Sequence, residues 1–405
     1  MRIDILHYAA PPIVGGVESV IAHHARLMVA DGHQVRILAG RGGQFDERIP
    51  FISIPKADSR HPEIQSVKHQ LDQGNIPDNF IDLVSELEKQ LISLLKDTQV
   101  LIAHNVCSLH KNLPLTAALK RVSDHNQSLR LILWHHDLAW STPRYQSELH
   151  EGYPWDLLRD DWIGVTQVVI SEMRRRELAD LTGIPEEDIL VIPNGINFKL
   201  FLKLETQSLQ LFDQLNLFSA APLLLLPVRI TSRKNIELAL RVLAALRSKF
   251  AEAALVVTGP LGPHNPANVE YFNRLRQIRS ELKLEGAAHF LAEHTEDFLP
   301  DEVIADFYRI ADALLFPSSE EGFGIPILEA GLSGIPIFCA NIPALRELGR
   351  HDVFYFSLSS EPAEIAAMIE QLLTQNPVFG MRWRVRNNYS WEQIYRKHIA
   401  ALLRI

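Results

Sequence analysis

Short β-rich runs alternate with amphipathic helical segments along almost the whole chain, and this alternation limits the possible folds more than any other feature. The first repeat is a strand at 2–9, a loop with two glycines, a helix at 17–30 and a strand at 34–40. The helical segments carry apolar residues at 3.6-residue spacing, whereas the strands are short, nearly continuous apolar runs. This pattern predicts parallel sheets that are covered by helices on both faces.

The alternation is interrupted at "NGIN" (194–197) and resumes with "APLLLLPV". Because 405 residues are long for one domain, we interpret the two series as two doubly wound, Rossmann-like domains of the α/β class facing a central cleft. The predicted N-terminal domain spans 1–193 and the C-terminal domain spans 194–388. An amphipathic helix at about 389–405 is predicted to pack back on the first domain, because its apolar face needs a partner. Residues 56–80 are polar with weak periodicity, and we expect a mobile loop there.

The composition limits the partners and the compartment. The formal net charge is −9 and neither half is basic, so nucleic acid is not predicted as a partner. The chain has 2 cysteines and lacks the basic start and long apolar core of a signal peptide, so we expect a cytoplasmic protein. The longest apolar run is too short to span a bilayer, and the basic triplet at 174–176 indicates at most peripheral membrane contact.

Two glycines and three carboxylates follow a strand of the second series, in "EEGFGIPILEA". Gly322 and Gly324 would allow a ligand to approach the backbone, and the N-terminus of the following helix offers free N–H groups to a phosphate. Glu321 and Glu329 could accept hydrogen bonds from the hydroxyl groups of a sugar or a ribose. In the alternative interpretation, the acidic residues only stabilise the helix dipole, by about 0.3–1 kcal/mol.

Two further loops carry candidate phosphate ligands. Arg229 and Lys234 lie between a strand and a helix, where they suit a diphosphate, although a pair of surface cations would have the same pattern. Gly15 and Gly16 open the first helix, either to contact a phosphate or only to permit a tight turn. Their loop matches neither the dinucleotide nor the P-loop fingerprint.

The motif "WHHDLAW" ends a strand of the first series and contains His135, His136 and Asp137. Adjacent histidines point in different directions from a strand, so we do not expect them to bind one metal ion together. One of them could bind a sugar hydroxyl, or both could be structural. The sequence contains no D-x-D, H-E-x-x-H, C-x-x-C or G-x-S-x-G motif, and we therefore predict neither a metal site nor serine-hydrolase chemistry.

Together these motifs resemble the signature of the retaining glycosyltransferases with the two-domain GT-B fold, the group 1 or family-four enzymes. The resemblance is carried by "PPIVGGVESVIAHHARLMVADGHQVRIL", "HHD", "VVISEMRRREL", "VIPNGIN", "RITSRKN" and "EEGFGIPILEA", which are spread over nearly the whole chain. Two segments depart from the family pattern. Val228 stands where the family often has glycine, and "CANIPALREL" lacks the usual glycines.

The resemblance implies a role for each candidate. Arg229 and Lys234 would hold the diphosphate of a nucleotide-sugar donor, and Glu329 would bind its ribose. Glu321 and His136 would contact the donor sugar. No metal and no cofactor are implied. The implied catalytic residues are His136, Glu321, Arg229 and Lys234, and the implied donor-binding residues are Gly15, Gly16, Arg229, Lys234, Glu321, Gly322, Phe323, Gly324 and Glu329.

The implied activity is transfer of a hexose from a nucleotide-diphosphate sugar to an acceptor hydroxyl, with retention of configuration. The acceptor could be a sugar, a lipid-linked sugar or another small molecule. A GT-B sugar phosphorylase or synthase would share most of this site, whereas a non-catalytic binding protein would bind donors without releasing nucleotide. A two-lobed solute-binding protein would share the α/β lobes, but it would be expected to carry an export signal and would not need the paired cations.

Overall fold

The computed structural model describes residues 1–126, 128–261, 266–295 and 298–404. The chain forms two compact units: unit 1 comprises Met1–Ile196 and Trp391–Ile405, and unit 2 comprises Asn197–Ser390. Each unit is built on its own parallel sheet, which confirms the prediction of two Rossmann-like α/β domains. In the described ranges, no helix combines the length and the apolar character needed to cross a bilayer.

Among its described residues, unit 1 contains one parallel sheet and five α-helices before its C-terminal segment. The strands are β1 Arg2–Ala9, β2 Gln34–Arg41, β3 Phe51–Ser53, β4 Val100–His104, β5 Arg130–His135, β6 Thr166–Val169 and β7 Ile189–Val191. The helices are α1 Gly16–Ala30, α2 Pro62–Leu71, α3 Phe80–Leu94, α4 Leu113–His125 and α5 Glu172–Thr182. The strand order is β3-β2-β1-β4-β5-β6-β7, so the order reverses between β1 and β4. Ligands of such sheets bind at the carboxyl ends of the strands near this reversal.

Alternate residues of β1 face two different hydrophobic cores. Ile3 and Ile5 belong to a core that includes Ile21 of α1, whereas Leu6 and Tyr8 belong to a core that includes residues of α3 and α4. The four β1 side chains are at most 3% exposed. Because helices cover both faces of the sheet, its strands are apolar at successive positions rather than at alternate ones.

The expected mobile loop at 56–80 contains a helix, so that prediction is wrong. α2 begins at Pro62 and buries Ile64, Val67 and Leu71. This i, i+3, i+7 spacing is helical. It was missed because the helix is short and most of its other residues are polar.

Unit 2 repeats this architecture with six strands and nine helices among the residues that the structure describes. The strands are β8 Leu223–Leu226, β9 Ala254–Val257, β10 Ala288–Phe290, β11 Ala313–Phe316, β12 Ile337–Ala340 and β13 Phe354–Phe356. The helices are α6 Phe198–Leu202, α7 Thr206–Gln214, α8 Ile236–Leu246, α9 Pro266–Glu281, α10 Asp301–Ile310, α11 Ile325–Leu332, α12 Pro343–Gly349, α13 Pro362–Gln375 and α14 Pro377–Asn388. The strand order is β10-β9-β8-β11-β12-β13.

The reversal of strand order in unit 2 falls between β8 and β11. These strands are parallel neighbours, with Leu224 opposite Ala313 and Leu225 opposite Leu314. The loops that follow them therefore leave the sheet side by side at its carboxyl edge. One loop leads to α8 and the other leads to α11, and both contain candidate donor ligands.

The C-terminal segment packs on unit 1. It consists of α15 Trp391–Ile394, a π-helical turn at Tyr395–Ile399 and α16 Ala400–Arg404, rather than one uninterrupted α-helix, and residue 405 lies outside the described residues. Ile394, Ile399 and Leu402 join the core that contains Ile3 and Ile5 of β1. The Tyr395 hydroxyl also donates a hydrogen bond to a carboxylate oxygen of the α1 C-cap residue at 2.9 Å.

Candidate active site

The loop after β8 holds Lys234 at the carboxyl edge of the unit 2 sheet. Lys234 ends a 3-10 turn in which its N–H donates to the Thr231 carbonyl oxygen at 3.0 Å, and Asn235 then adopts a left-handed φ of 49°. The N–H of Ile236 donates to the Tyr271 hydroxyl at 3.1 Å. These contacts fix the start of α8 and thereby the position of the lysine.

An ion pair between Lys234 and Glu321 joins the loops after β8 and β11. The two side chains are 10% and 9% exposed, and the Lys234 ammonium lies 5.6 Å from the centroid of the Phe316 ring. Lysine and glutamate are rarely buried without a partner, and here each supplies the partner of the other. Arg233, whose side chain is 51% exposed, places Nη1 3.8 Å from Glu321 Oε2.

Arg229 is exposed, and two features determine where it lies. Its guanidinium is 5.0 Å from the centroid of the Phe298 ring, within the range of a cation–π contact. The backbone before Arg229 runs against Gly259, where an added Cβ would lie 2.1 Å from the Val228 carbonyl oxygen. Only glycine fits at this close approach of two chain segments, so the course of the Arg229 loop depends on Gly259.

The N-terminus of α11 lies in the loop after β11. Its N-cap residue Gly324 has a φ of 106°, a backbone conformation that favours glycine, and an added Cβ would lie 2.8 Å from Leu345 Cδ2. Within the described residues, the N–H groups of Phe323 and Gly324 form no hydrogen bond. Free N–H groups and the helix dipole together favour an anion at this point.

These groups line a cavity of about 700 Å³ within unit 2. Its volume suits a ligand of nucleotide size. Three cationic side chains and one carboxylate line it, so positive charge is in excess. The predicted residues that the cavity brings together are Arg229, Lys234, Glu321, Phe323 and Gly324.

Two other predicted residues of unit 2 are not in the lining of the cavity. Glu329 is exposed on α11, and the Tyr308 hydroxyl of α10 donates a hydrogen bond to its Oε2 at 2.7 Å. Burial and this hydrogen bond raise the pKa of Tyr308. Gly322 is exposed, and an added Cβ would meet nothing within 4 Å, so packing within the protein does not require glycine there.

Gly15 and Gly16 lie in unit 1, at the N-terminus of α1. An added Cβ at Gly15 would lie 2.1 Å from the carboxylate Oε2 of Glu18, whereas one at Gly16 would meet nothing within 4 Å. The Glu18 carboxylate is therefore at the helix end, where the dipole favours negative charge. A phosphate bound at this terminus would have to share it with Glu18 or displace it.

His135 and His136 are buried at the end of β5 and have different partners. Nε2 of the His136 ring lies 3.0 Å from Nδ1 of His104, and the backbone N–H of His136 donates to Asn105 Oδ1 at 2.7 Å. Nε2 of His135 lies 2.8 Å from Oε1 of Gln167. Burial lowers the pKa of His136 to about 3 and the pKa of His135 to about 4, so both rings are neutral at neutral pH.

The predicted sugar contact of His136 therefore depends on one ring nitrogen. Because Nε2 is engaged with His104, Nδ1 is the nitrogen left to bind a hydroxyl. The neighbouring Asp137 forms an ion pair with Arg174 at 3.3 Å. Arg175 pairs with two glutamates, so at least two arginines of the basic triplet have carboxylate partners within unit 1.

One group of unit 1 side chains has the composition of a metal site. Asp72, His110 and Glu148 offer ligand atoms within 4.8 Å of one another, and the described residues contain no other such group. The Lys68 ammonium lies 2.6 Å from Asp72 Oδ2 and 2.9 Å from Glu148 Oε2. The lysine thus supplies the cation that these carboxylates need, and the arrangement gives a resident metal no support.

The sequence analysis did not identify two residues that contact predicted ligand-binding side chains. Tyr308 precedes Glu329 by 21 residues, and Phe298 belongs to a different loop from Arg229. No local motif marks either of them, because both contacts depend on which elements become neighbours in the folded unit. Arg233, which was not among the predicted ligand-binding residues, also lines the cavity.

Two family models match the chain. The model described as Glycosyltransferase Family 4 matches residues 14–200, and the model described as Glycosyl transferases group 1 matches residues 208–389. The first match falls almost entirely in unit 1, and the second falls within unit 2.

The chain is similar to curated proteins that are named as a synthase and as a glycosyltransferase. Mannosylglucosylglycerate synthase of Petrotoga mobilis is 26% identical over 366 residues, covering 86% of this chain and 84% of the relative. D-inositol 3-phosphate glycosyltransferase of Geodermatophilus obscurus is 29% identical over 257 residues, covering 59% of this chain and 54% of the relative. Among solved structures, WaaG, a glycosyltransferase involved in lipopolysaccharide biosynthesis, covers 99% of both chains at 16% identity with a TM-score of 0.37. The family matches confirm the resemblance in the sequence: the chain belongs to the group 1 glycosyltransferases and is a transferase.

Proposed function

We propose that the chain transfers a hexose from a nucleoside-diphosphate sugar to a hydroxyl group of a small acceptor, with retention of configuration and without a bound metal. The observation that carries this proposal is the unit 2 cavity, where Arg229 and Lys234 lie with the N-terminus of α11. Incubation with UDP-, GDP- and ADP-hexoses, followed by measurement of released nucleotide, tests it. Tight binding without nucleotide release from any donor, with or without a panel of acceptors, would contradict it.

The diphosphate of the donor is the group that fits the charge of the cavity. Arginine offers a planar fork of donors and lysine a compact point charge, and Arg229 and Lys234 supply one of each. The N–H groups of Phe323 and Gly324 at the start of α11 add neutral donors for phosphate oxygens. Glu329, which Tyr308 holds, would accept hydrogen bonds from the ribose hydroxyls.

In the proposed reaction, the bond between the anomeric carbon and the diphosphate oxygen breaks, and its electron pair stays on the diphosphate. The acceptor oxygen forms the new bond on the same face of the sugar, and its proton passes to an oxygen of the leaving diphosphate. Arg229 and Lys234 stabilise the charge that develops on that group, a kind of contribution that is often the largest in catalysis. Glu321, anchored by Lys234, binds hydroxyl groups of the donor sugar and need not act as a nucleophile.

Nucleotide release is expected to continue in the presence of EDTA. The reason is that protein cations and helix N–H groups, rather than a metal ion, would neutralise the diphosphate. The measurement compares initial rates in EDTA, in Mg²⁺ and in Mn²⁺ with the same preparation. A rate that is abolished by EDTA and restored by either metal would refute this part of the proposal.

Small hydroxylated molecules are the acceptor class that we propose. The support is the name of one relative, which specifies D-inositol 3-phosphate, a small molecule of this kind. Free sugars, inositol phosphates and sugar acids therefore belong in the first acceptor panel.

Alanine substitutions at Glu329 and Glu321 are expected to have different effects. Glu329→Ala should weaken binding of the bare nucleoside diphosphate by roughly 10- to 100-fold, because a hydrogen-bonded carboxylate contact worth about 1.5–3 kcal/mol is lost. Glu321→Ala should leave that affinity nearly unchanged and lower turnover of the sugar donor. Calorimetry of nucleotide binding beside steady-state turnover measures both quantities.

Glu320→Ala is the matched control for these substitutions. Glu320 is the exposed neighbour of Glu321, and it carries the same charge in the same loop. Its replacement should change neither nucleotide affinity nor turnover. Equal and small effects of all three substitutions would mean that the carboxylates only stabilise the end of α11.

A further inference from the structure

The exposed Glu329 carboxylate accepts a hydrogen bond from a buried tyrosine. Tyr308 is 2% exposed, and its ring is packed in the main core of unit 2. Its hydroxyl donates to Glu329 Oε2 at 2.7 Å and lies 3.5 Å from the Pro326 carbonyl oxygen. A rigid donor in the core thus fixes a flexible acceptor on the surface of α11.

A carboxylate that binds a ribose has to present two oxygens to two adjacent hydroxyl groups. A free glutamate side chain samples several rotamers, and ordering it has one of the larger entropic costs among side chains. The Tyr308 bond uses one lone pair of Oε2 and leaves Oε1, together with the remaining lone pair of Oε2, available as acceptors. The tyrosine therefore orders Glu329 without occupying its capacity to bind a diol.

We propose that Tyr308 is a positioning residue, which fixes the Glu329 carboxylate in the orientation that accepts hydrogen bonds from both hydroxyls of the donor ribose. This inference rests on the proposed function, in which Glu329 is the ribose ligand. Burial of Tyr308 and its bond to Glu329 raise the pKa of the phenol, so the hydroxyl remains a donor throughout the neutral range.

A purely structural role is the competing explanation, since a buried tyrosine hydroxyl usually has a hydrogen-bond partner. The two roles differ in what they do to ligand binding. A structural tyrosine would affect all nucleotides equally, because it acts through the stability of the unit. A positioning tyrosine would affect only ligands that have the ribose hydroxyls, and only while Glu329 is present.

The test is a double-mutant cycle with Tyr308→Phe, Glu329→Ala and the double variant of the full chain. Tyr308→Phe removes the hydroxyl and keeps the packed ring. For each protein, the affinities of UDP, GDP and ADP and of their 2′,3′-dideoxy forms are measured by calorimetry. Tyr355→Phe, which removes a hydroxyl that donates to the Leu345 carbonyl oxygen at 3.3 Å elsewhere in unit 2, serves as the control.

Tyr308→Phe is expected to weaken binding of the best ribonucleotide by roughly 2- to 12-fold, because the ligand then has to order the Glu329 side chain itself. It should not change the affinity of the dideoxy form, and it should have no further effect in the Glu329→Ala background. Equal losses for both ligand forms, a loss that persists without Glu329, or no loss at all would overturn the positioning role. If Glu329→Ala changes the affinities of the ribonucleotide and of its dideoxy form equally, Glu329 is not the ribose ligand, and the proposal for Tyr308 fails with it.

Discussion

Replacing Lys234 by methionine is expected to lower turnover of the sugar donor by roughly 10²- to 10³-fold, equivalent to about 2.7–4 kcal/mol of transition-state stabilisation. Methionine keeps most of the apolar stem and removes the ammonium group, which lies 5.6 Å from the centroid of the Phe316 ring and pairs with Glu321. The lost charge is the most buried cation in the lining of the unit 2 cavity. Fixed positive charge at a leaving diphosphate acts most strongly in the transition state, where negative charge develops. The effect should therefore appear mainly in kcat.

Two controls separate this effect from damage to the fold. Arg241→Met removes one cation from an exposed position on α8 and should leave turnover unchanged. Lys234→Met leaves Glu321 with Arg233 as its nearest cation, at 3.8 Å, so thermal unfolding of the variant has to be measured as well. Adding Glu321→Gln should restore stability without restoring turnover. Full recovery of turnover in that double variant would show that Lys234 serves only to pair Glu321.

The sheets could be predicted from the sequence because strands buried on both faces are apolar at successive positions. β8 "LLLL" and β9 "ALVV" are examples, and each is bounded by loop residues. The short helix α2 was missed for the opposite reason, since three buried residues are spread over ten mostly polar positions. Periodicity over so few turns does not stand out from a polar loop.

Site residues that share one loop could be predicted, whereas contacts between loops could not. Glu321 and Gly324 lie in one motif. Glycine is favoured at 324 by a local property, the backbone φ of 106°. The ion pair of Lys234 with Glu321 instead requires β8 and β11 to be neighbours, which only the strand order of the sheet determines. The contact of Tyr308 with Glu329 likewise depends on the packing of α10 and α11.

Mild acid is expected to destabilise unit 1 by an amount similar to its whole stability. Five histidines form a buried cluster, and each is at most 6% exposed. Burial lowers the pKa of four of them to about 3 or 4 and that of His104 well below its ordinary value. The members of this histidine cluster are His7, His24, His104, His135 and His136.

The direction of the effect follows from proton binding. In the unfolded chain these histidines take up protons near pH 6.5, whereas in the folded unit they do so only near pH 4 or below. Between those values the unfolded state binds more protons, so the free energy of unfolding falls as the pH is lowered. Each histidine contributes about 1 kcal/mol between pH 7 and 5.5, so the cluster accounts for a loss on the order of 5 kcal/mol, which is comparable to the stability of a typical domain.

The free energy of unfolding, measured in urea at pH values of about 7.5, 6.5 and 5.5, gives this loss. These values are about one pH unit apart, the scale on which a histidine titrates. Tryptophan fluorescence reports mainly on unit 1, because five of the 6 tryptophans belong to it. Among the residues that the structure describes, neither ring nitrogen of His24 has a hydrogen-bond partner, so His24→Leu removes a titrating group without breaking a hydrogen bond. This substitution should reduce the number of protons taken up on unfolding by one. Replacement of the exposed His125 by glutamine should not change it. Stability that is the same at pH 7.5 and 5.5, or an equal change of slope in both variants, would contradict the assignment of the pH dependence to this cluster.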